Sequence, residues 1–229
     1  MSNFSDAFLQ EAERHAAWGT VQLQAMDAAF PDAPWDVDLD TGVYQQDGRE
    51  VRVAVLATYD LSERTWMWGW ANPGLRGAPV VAAAERARDF GRAHGLTEFT
   101  EETLDLSGFA DPRRAAETLA FTAMGVTGAP GYLGLEAGPS TRLYLLPDDP
   151  RVQPAGIDPV ALPRILTTGA TLIGRSPRLA VSGYFDHFQL TQRQTETGIG
   201  ADLPDGSTVD VDFDGSGRIA SVTVHPAGR

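Results

Sequence analysis

The chain has 229 residues, and its 31 Asp and Glu outnumber 18 basic side chains, all arginine, to give a formal net charge of −13 at pH 7. A phosphate backbone would be repelled by this charge, so we expect no binding to nucleic acid. Because the sequence contains neither Lys nor Cys, it excludes Schiff-base and P-loop lysines, thiol nucleophiles, disulfides and cysteine-ligated metal sites.

The first segment predicts a long helix. Ser5 is a typical N-cap residue, and small or apolar residues recur at helical spacing as far as Phe30, where Pro31 and Pro34 follow. No basic region precedes an apolar one here, which argues against a signal peptide. Since no apolar run approaches the ~20 residues of a membrane span, we expect a soluble, cytoplasmic protein with no membrane partner.

The next segment predicts an antiparallel sheet and two helices. Residues of alternating polarity indicate strands, and Asp47-Gly48 is a strong hairpin signal. The predicted strands cover 35–39, 43–44, 49–59, 64–71, 131–135 and 141–146, and the predicted helices cover 79–94 and 112–125. This pattern is typical of an α+β fold in which the N-terminal helix packs on a sheet of four to six strands.

A boundary is predicted near residue 150. Residues 147–156 contain three prolines and no apolar period, so we interpret them as a linker between a domain at 1–146 and a small α+β module at 157–229. The module is predicted to contain helices over 158–173 and 177–188, although a strand is the alternative for the second. The last part of the module is predicted to be a three-stranded meander, with strands over 195–203, 207–213 and 218–224.

The most distinctive motif is the run Trp-x-Trp-x-Trp-Ala-Asn-Pro at 66–73. On one strand, Trp66, Trp68 and Trp70 would share a face. One interpretation is an aromatic platform that binds a ligand, with Asn72 at its end. The alternative is a core face beneath the helices, in which each indole N–H finds a hydrogen-bond partner.

The chain resembles a family of uncharacterised bacterial proteins, mostly actinobacterial. The resemblance rests on this run, on the following helix that ends in His-Gly-Leu, and on the Gly-x-x-Gly-Tyr stretch at 128–132. The family is a domain of unknown function defined by a Trp-x-Trp-x-Trp-Ala-Asn motif. The resemblance covers residues 5–146. It implies no activity, cofactor or catalytic residue for this chain.

Aspartates on two predicted strands form candidate binding surfaces. Asp36 and Asp38 alternate with apolar residues on one strand, and Asp210 and Asp212 do so on another. We expect these outer faces to attract a basic protein partner. The run from Asp210 does not match a calcium loop, because Ser221 stands where that loop requires Glu.

The histidines carry no metal signature in the sequence. None of the four lies at His-x-x-x-His spacing, and His15 falls on the inner face of the first helix. Asp186 and His187 are adjacent, but in a helix their side chains point about 100° apart and cannot form a dyad. The sequence therefore predicts no metal, no cofactor and no catalytic residue.

Two functions remain open at this level, and neither predicts an oligomeric state. The first is a soluble acidic binding protein, for example an inhibitor of immunity or antitoxin type that neutralises a basic partner. The second is a small-molecule-binding protein or hydrolase with a pocket beside Trp66, Trp68 and Trp70. The lack of catalytic signatures favours the first.

Overall fold

The computed structural model describes residues 3–227, which form six helices and eleven strands. The helices are α1 (Asp6–Ala29), α2 (Ala82–His94), α3 (Thr97–Thr100), α4 (Pro112–Thr127), α5 (Leu162–Leu172) and α6 (Pro177–His187). The strands are β1 (Trp35–Asp38), β2 (Val43–Gln46), β3 (Arg49–Asp60), β4 (Thr65–Trp68), β5 (Thr103–Asp105), β6 (Leu133–Glu136), β7 (Thr141–Pro147), β8 (Gln192–Gln194), β9 (Gly198–Asp202), β10 (Thr208–Phe213) and β11 (Ile219–His225). Mixed helices and antiparallel sheets confirm the predicted α+β class.

The chain divides into two compact units. Among the described residues, the N-terminal unit contains residues 3–8 and 22–154, and the C-terminal unit contains residues 9–21 and 155–227. The sequence placed all of the first helix in the N-terminal domain, whereas the middle of α1 groups with the C-terminal unit. Among the described residues, no helix combines the length and apolar character needed to cross a membrane.

Helix α1 begins and ends where its sequence predicts. The Ser5 side chain accepts a hydrogen bond from the backbone N–H of Phe8, and the N–H of Phe30 donates to the carbonyl of Met26. Pro31 then prevents continuation, because proline has no N–H to donate to the helix.

The N-terminal unit is built on one antiparallel sheet of seven strands, more than the four to six expected. Strands β1 to β5 are neighbours in chain order, while β7 pairs with both β3 and β6. The predicted hairpin between β2 and β3 is present, with positive φ angles at Asp47 (50°) and Gly48 (73°). The sequence missed β5, a strand of only three residues that follows α3, a helix of four residues.

The C-terminal unit contains a second sheet with strand order β11-β10-β9-β8. The three predicted strands are present, and the short β8 adds a fourth. The segment 177–187 is a helix, so the strand alternative is wrong. Helices α5 and α6 pack against α1 through glycines: Gly169 lies on the backbone of Ala17, and Gly183 lies on that of Arg14.

The Trp-rich segment is shorter as a strand than the sequence predicted. Strand β4 ends at Trp68, and Gly69–Ala71 form a short 3-10 turn. At this turn the backbone of Gly69 lies against the carbonyl oxygen of Val55, where no Cβ would fit, so the position requires glycine. Trp70 is therefore not on the strand face that Trp66 and Trp68 share, and the prediction of one three-Trp face is wrong.

Candidate functional site

The Trp residues form part of the core of the N-terminal unit. Trp66 and Trp68 are completely buried, with their ring centroids 5.1 Å apart, and Trp70 is nearly so. The Trp68 indole Nε1 donates to the backbone carbonyl of Glu98 at 3.0 Å. The indole nitrogens of Trp66 and Trp70 have no hydrogen-bond partner in the described structure. The burial favours the core interpretation, and a ligand-binding role for these residues stays a prediction.

Asn72 has a local structural role. Its side-chain oxygen accepts a hydrogen bond from the N–H of Gly74 at 2.9 Å and so caps the turn at Pro73–Leu75. Capping of this kind is a common reason for Asn before Pro.

Asp36 and Asp38 lie on the exposed face of β1, as predicted. Asp38 also shapes the turn after the strand, because it accepts hydrogen bonds from the backbone of Asp40 and Thr41. Hydrogen bonds from Thr41, first from its hydroxyl, hold the pKa of the Asp38 carboxyl below its ordinary value. Asp36 accepts a hydrogen bond from the neighbouring N–H of Val37.

Asp210 and Asp212 are engaged within their own sheet. Asp210 lies 3.0 Å from Arg193 Nη2 and 3.3 Å from His225 Nε2. Asp212 accepts hydrogen bonds from the hydroxyls of Thr197 and Ser221, which lower the pKa of its carboxyl. Their role in binding a partner stays a prediction, but these carboxylates already have partners.

A cleft of about 700 Å³ opens on the N-terminal unit, between the end of α1, the β1–β2 hairpin, α4 and the β6–β7 hairpin. We call it the acidic cleft. Its charged residues are four carboxylates and one guanidinium: Asp27, Asp32, Glu117, Glu136 and Arg142. Its aromatic lining is Phe30, Trp35, Tyr44 and Tyr132.

Glu117 in α4 organises the inner wall of this cleft. Its carboxylate accepts hydrogen bonds from the hydroxyls of Tyr132 at 2.7 Å and Tyr144 at 3.0 Å. Two guanidinium groups complete its surroundings, with Arg113 Nε at 3.1 Å and Arg142 Nε at 3.3 Å. Burial, reinforced by the charge of Glu117, raises the pKa of both tyrosines, so each keeps its proton and remains a donor.

A glycine makes room for the arginine of the cleft. A Cβ on Gly134 would lie 2.6 Å from Nη2 of Arg142, so the guanidinium lies flat across the β6 backbone. This placement brings it to Glu117 and leaves its side chain only 15% exposed. The sequence offered a weak signal for the cluster, the Gly-x-x-Gly-Tyr stretch that contains Tyr132.

A second cluster lies entirely in the C-terminal unit, around a histidine pair. His15 Nδ1 and His187 Nε2 share a hydrogen bond of 2.8 Å, although the two residues are 172 positions apart. The ring of His187 stacks on Trp18, with 3.9 Å between centroids and 4° between planes. Glu11 Oε1 lies 3.1 Å from His15 Nε2. A pocket of about 270 Å³ reaches this group, which we call the histidine pocket.

The surroundings of His187 keep its imidazole neutral. Burial, and secondarily the nearby His15, lowers the pKa of His187 to about 3. The sequence placed His15 on the inner face of its helix and excluded an Asp186–His187 dyad, but it had no means of pairing His15 with His187. Among residues 3–227, no three His, Asp or Glu side chains converge as a ready-made metal site.

Fold and clusters together define an α+β protein whose N-terminal unit carries an acidic, aromatic-lined cleft. The model of a family of unknown function (DUF6882) matches residues 5–150, and the chain belongs to that family. No curated protein and no solved structure matches the chain significantly. The matched region contains the whole lining of the acidic cleft and the Trp residues, whereas His187 lies beyond it.

Proposed function

We propose that the chain is a binding protein whose acidic cleft receives a cationic side chain of a basic partner protein. The observation that carries this proposal is the composition of the cleft wall, in which four carboxylates face one guanidinium. A cleft lined by charges of one sign concentrates ligands of the opposite sign and raises their association rate. An inhibitor of immunity or antitoxin type, acting on a basic target, is one protein of this class.

The aromatic lining supports the same ligand. Trp35 is half-buried and presents a ring beside Tyr44, with the two centroids 6.3 Å apart. Ammonium and guanidinium groups are attracted to the faces of such rings, most strongly to Trp. A surface of carboxylates and aromatic faces is therefore suited to the head group of an arginine or lysine side chain.

The carboxylates differ in their availability. Glu117 is occupied by two tyrosines and two arginines, so it holds the wall in place. Asp27, Asp32 and Glu136 are exposed at the rim. Asp36 extends this acidic surface, because it lines a neighbouring pocket that shares Trp35 with the cleft. A continuous acidic surface larger than one pocket favours a protein partner.

A free organic cation is the second candidate ligand. The volume of about 700 Å³ falls in the range typical of small-molecule pockets. This candidate needs only the cleft, whereas the protein partner also uses the neighbouring surface at Asp36.

The proposal is tested with a hexa-arginine peptide, its citrulline counterpart and N-acetylarginine amide, titrated against the full chain at low and at ~1 M salt. We expect the arginine peptide to bind at low salt and the citrulline peptide not to bind. The double variant Asp27→Asn/Asp32→Asn should weaken binding at least fivefold. Asp210→Asn/Asp212→Asn changes net charge equally in the other unit and should leave affinity almost unchanged.

Equal weakening by both double variants would show attraction to net charge alone and overturn the cleft as the site. Saturable binding of N-acetylarginine amide as tight as that of the peptide would support the organic cation instead. Loss of binding in Asp36→Asn with the peptide, but not with the amide, would support the protein partner.

A further inference from the structure

We propose that Glu11 and His15 bind a divalent transition-metal ion such as Zn²⁺ in the C-terminal unit, with His187 holding the imidazole of His15 in position. Nothing in this inference depends on the acidic cleft. It rests on the positions of three side chains and on one buried nitrogen without a hydrogen bond.

The first observation is that nitrogen. His15 is 8% exposed, and its Nε2 atom is buried with no hydrogen-bond partner in the described structure. Glu11 Oε1 lies only 3.1 Å away but does not lie along the direction of the ring N–H, so the contact is not a hydrogen bond. A buried polar atom left in this way is costly unless another group satisfies it.

A metal ion bound to both side chains explains why Glu11 Oε1 lies so close to His15 Nε2 and yet away from the direction of the ring N–H. Zinc binds imidazole nitrogen and carboxylate oxygen at about 2.0–2.2 Å. Two such ligands at an angle of roughly 100° lie about 3.1 Å apart, and the ion, not the oxygen, then occupies the direction of the nitrogen lone pair. The separation found for Glu11 and His15 is 3.1 Å. Their i, i+4 spacing puts both donors on one face of α1.

His187 prepares His15 for this role. If His15 donates its Nδ1–H to His187 Nε2, its own Nε2 carries the lone pair that a metal requires. Histidines that bind metals usually donate their other ring N–H in this way, which fixes the ring and its tautomer. The stacking of His187 on Trp18 fixes the acceptor in turn.

The histidine pocket has room for the rest of the coordination shell. It holds about 270 Å³, and Asp186, an exposed carboxylate, lies on the same wall. Arg14 Nε lies 3.7 Å from Oε2 of Glu11, the oxygen that the metal does not use. Two protein ligands completed by water resemble an open site more than a closed structural one.

The test is calorimetric titration of the full chain with Zn²⁺ after treatment with a chelator. We expect one equivalent to bind. His15→Asn and Glu11→Gln should each reduce the affinity by at least tenfold. His225→Asn is the matched control, because His225 also lies beside a carboxylate, that of Asp210, but on the surface. It should leave the affinity unchanged.

Two variants of His187 separate positioning from general structure. His187→Phe keeps a ring on Trp18 but loses the acceptor for His15, so the affinity for Zn²⁺ should fall about tenfold or more. His187→Gln restores an acceptor for the His15 N–H and should therefore recover most of the affinity for Zn²⁺. Cu²⁺, which quenches nearby indoles, should reduce fluorescence in the wild type more than in Trp18→Phe.

The proposal is overturned if the wild type binds no Zn²⁺, if Glu11→Gln and His15→Asn bind as tightly as the wild type, or if only His225→Asn loses the ion. The melting temperature of each metal-free variant identifies any that does not fold. Glu11 is the more exposed of the two ligands, so Glu11→Gln decides the outcome if His15→Asn fails to fold.

Discussion

The backbone of Gly183 in α6 lies directly against the backbone carbonyl of Arg14 in α1, with no space between them for a Cβ atom. Gly183→Ala therefore has to move two helices apart. Alanine ordinarily stabilises a helix by about 1 kcal/mol relative to glycine. Here we expect the opposite sign, a loss of about 1–3 kcal/mol in the free energy of unfolding, measured by urea denaturation.

Gly215→Ala is the control for this substitution. Gly215 lies in the same unit, and a Cβ there would meet nothing within 4 Å. It should change the stability by less than about 0.5 kcal/mol. Equal losses in the two variants would contradict the close packing of α6 on α1.

Glu117→Ala should destabilise the N-terminal unit. The substitution leaves two tyrosine hydroxyls and the Arg113 guanidinium without their shared acceptor, and it removes the carboxylate that forms an ion pair with Arg142. Hydrogen bonds to charged groups contribute about 1.5–3 kcal/mol each when buried, and partial exposure reduces this. Since the Glu117 side chain is 28% exposed, we expect a total loss of about 2–3 kcal/mol.

Glu117→Gln, which keeps one acceptor oxygen, should cost about half as much. Both values are measured by chemical denaturation at pH 7. If Glu117→Ala were as stable as the wild type, the carboxylate would not organise the cleft wall.

Asp149 should make the stability depend on pH in the acid range. Its carboxyl accepts from the Arg151 guanidinium and from the backbone N–H groups of Arg52 and Arg151, which hold its pKa well below the ordinary value. A lowered pKa means that the unfolded chain binds the proton more readily. The stabilisation is therefore complete above about pH 4 and is lost progressively as the pH falls further.

Asp149→Asn should lower the melting temperature at pH 6 and flatten its decline between about pH 4 and pH 2. Asp148→Asn removes the same charge from the adjacent, exposed residue and should reproduce neither effect. Parallel pH profiles for the wild type and Asp149→Asn would rule out this carboxyl as a source of the dependence.

Trp68→Phe should cost more stability than Trp66→Phe, although both indoles are completely buried. Trp68 Nε1 donates to the carbonyl of Glu98, whereas Trp66 Nε1 has no such partner in the described structure. Both substitutions lose stability because Phe has a smaller ring than Trp. Loss of the buried hydrogen bond should lower the free energy of unfolding of Trp68→Phe by about 1–3 kcal/mol more. Denaturation of the two variants under one condition measures the difference, and equal losses would argue against the Glu98 contact.

Local sequence signals predicted most elements of the fold. Ser5 and Pro31 mark the ends of α1, Asp47-Gly48 marks the β2–β3 turn, and Ser176-Pro177 opens α6. These signals act within a few residues, through capping, positive φ or a missing N–H. The strand predicted over 64–71 ends early, at Trp68, and the next residue, Gly69, packs against Val55, which is fourteen positions away in the sequence.

The candidate sites were harder to predict from the sequence, because both depend on contacts between residues that are far apart in the chain. His15 meets His187 across 172 positions, and Glu117 meets Tyr144 across 27. A single sequence records the chemistry of each residue but not which elements pack together. The sequence predicted an acidic face at Asp36 and Asp38, next to the acidic cleft, but it did not predict the cleft, its aromatic lining or its arginine.

The division of α1 between the two units has a practical consequence for recombinant work. A fragment that covers only the family-matched region, 5–150, would keep the middle of α1 but lack α5 and α6. Ala16 would lose its neighbours Ala170 and Ala180, and Trp18 would lose its stacking on His187. The apolar side chains of α1 that these contacts bury would then be exposed, and such exposed apolar surface promotes aggregation. Expression of this family's domain from the chain should therefore begin from the full length.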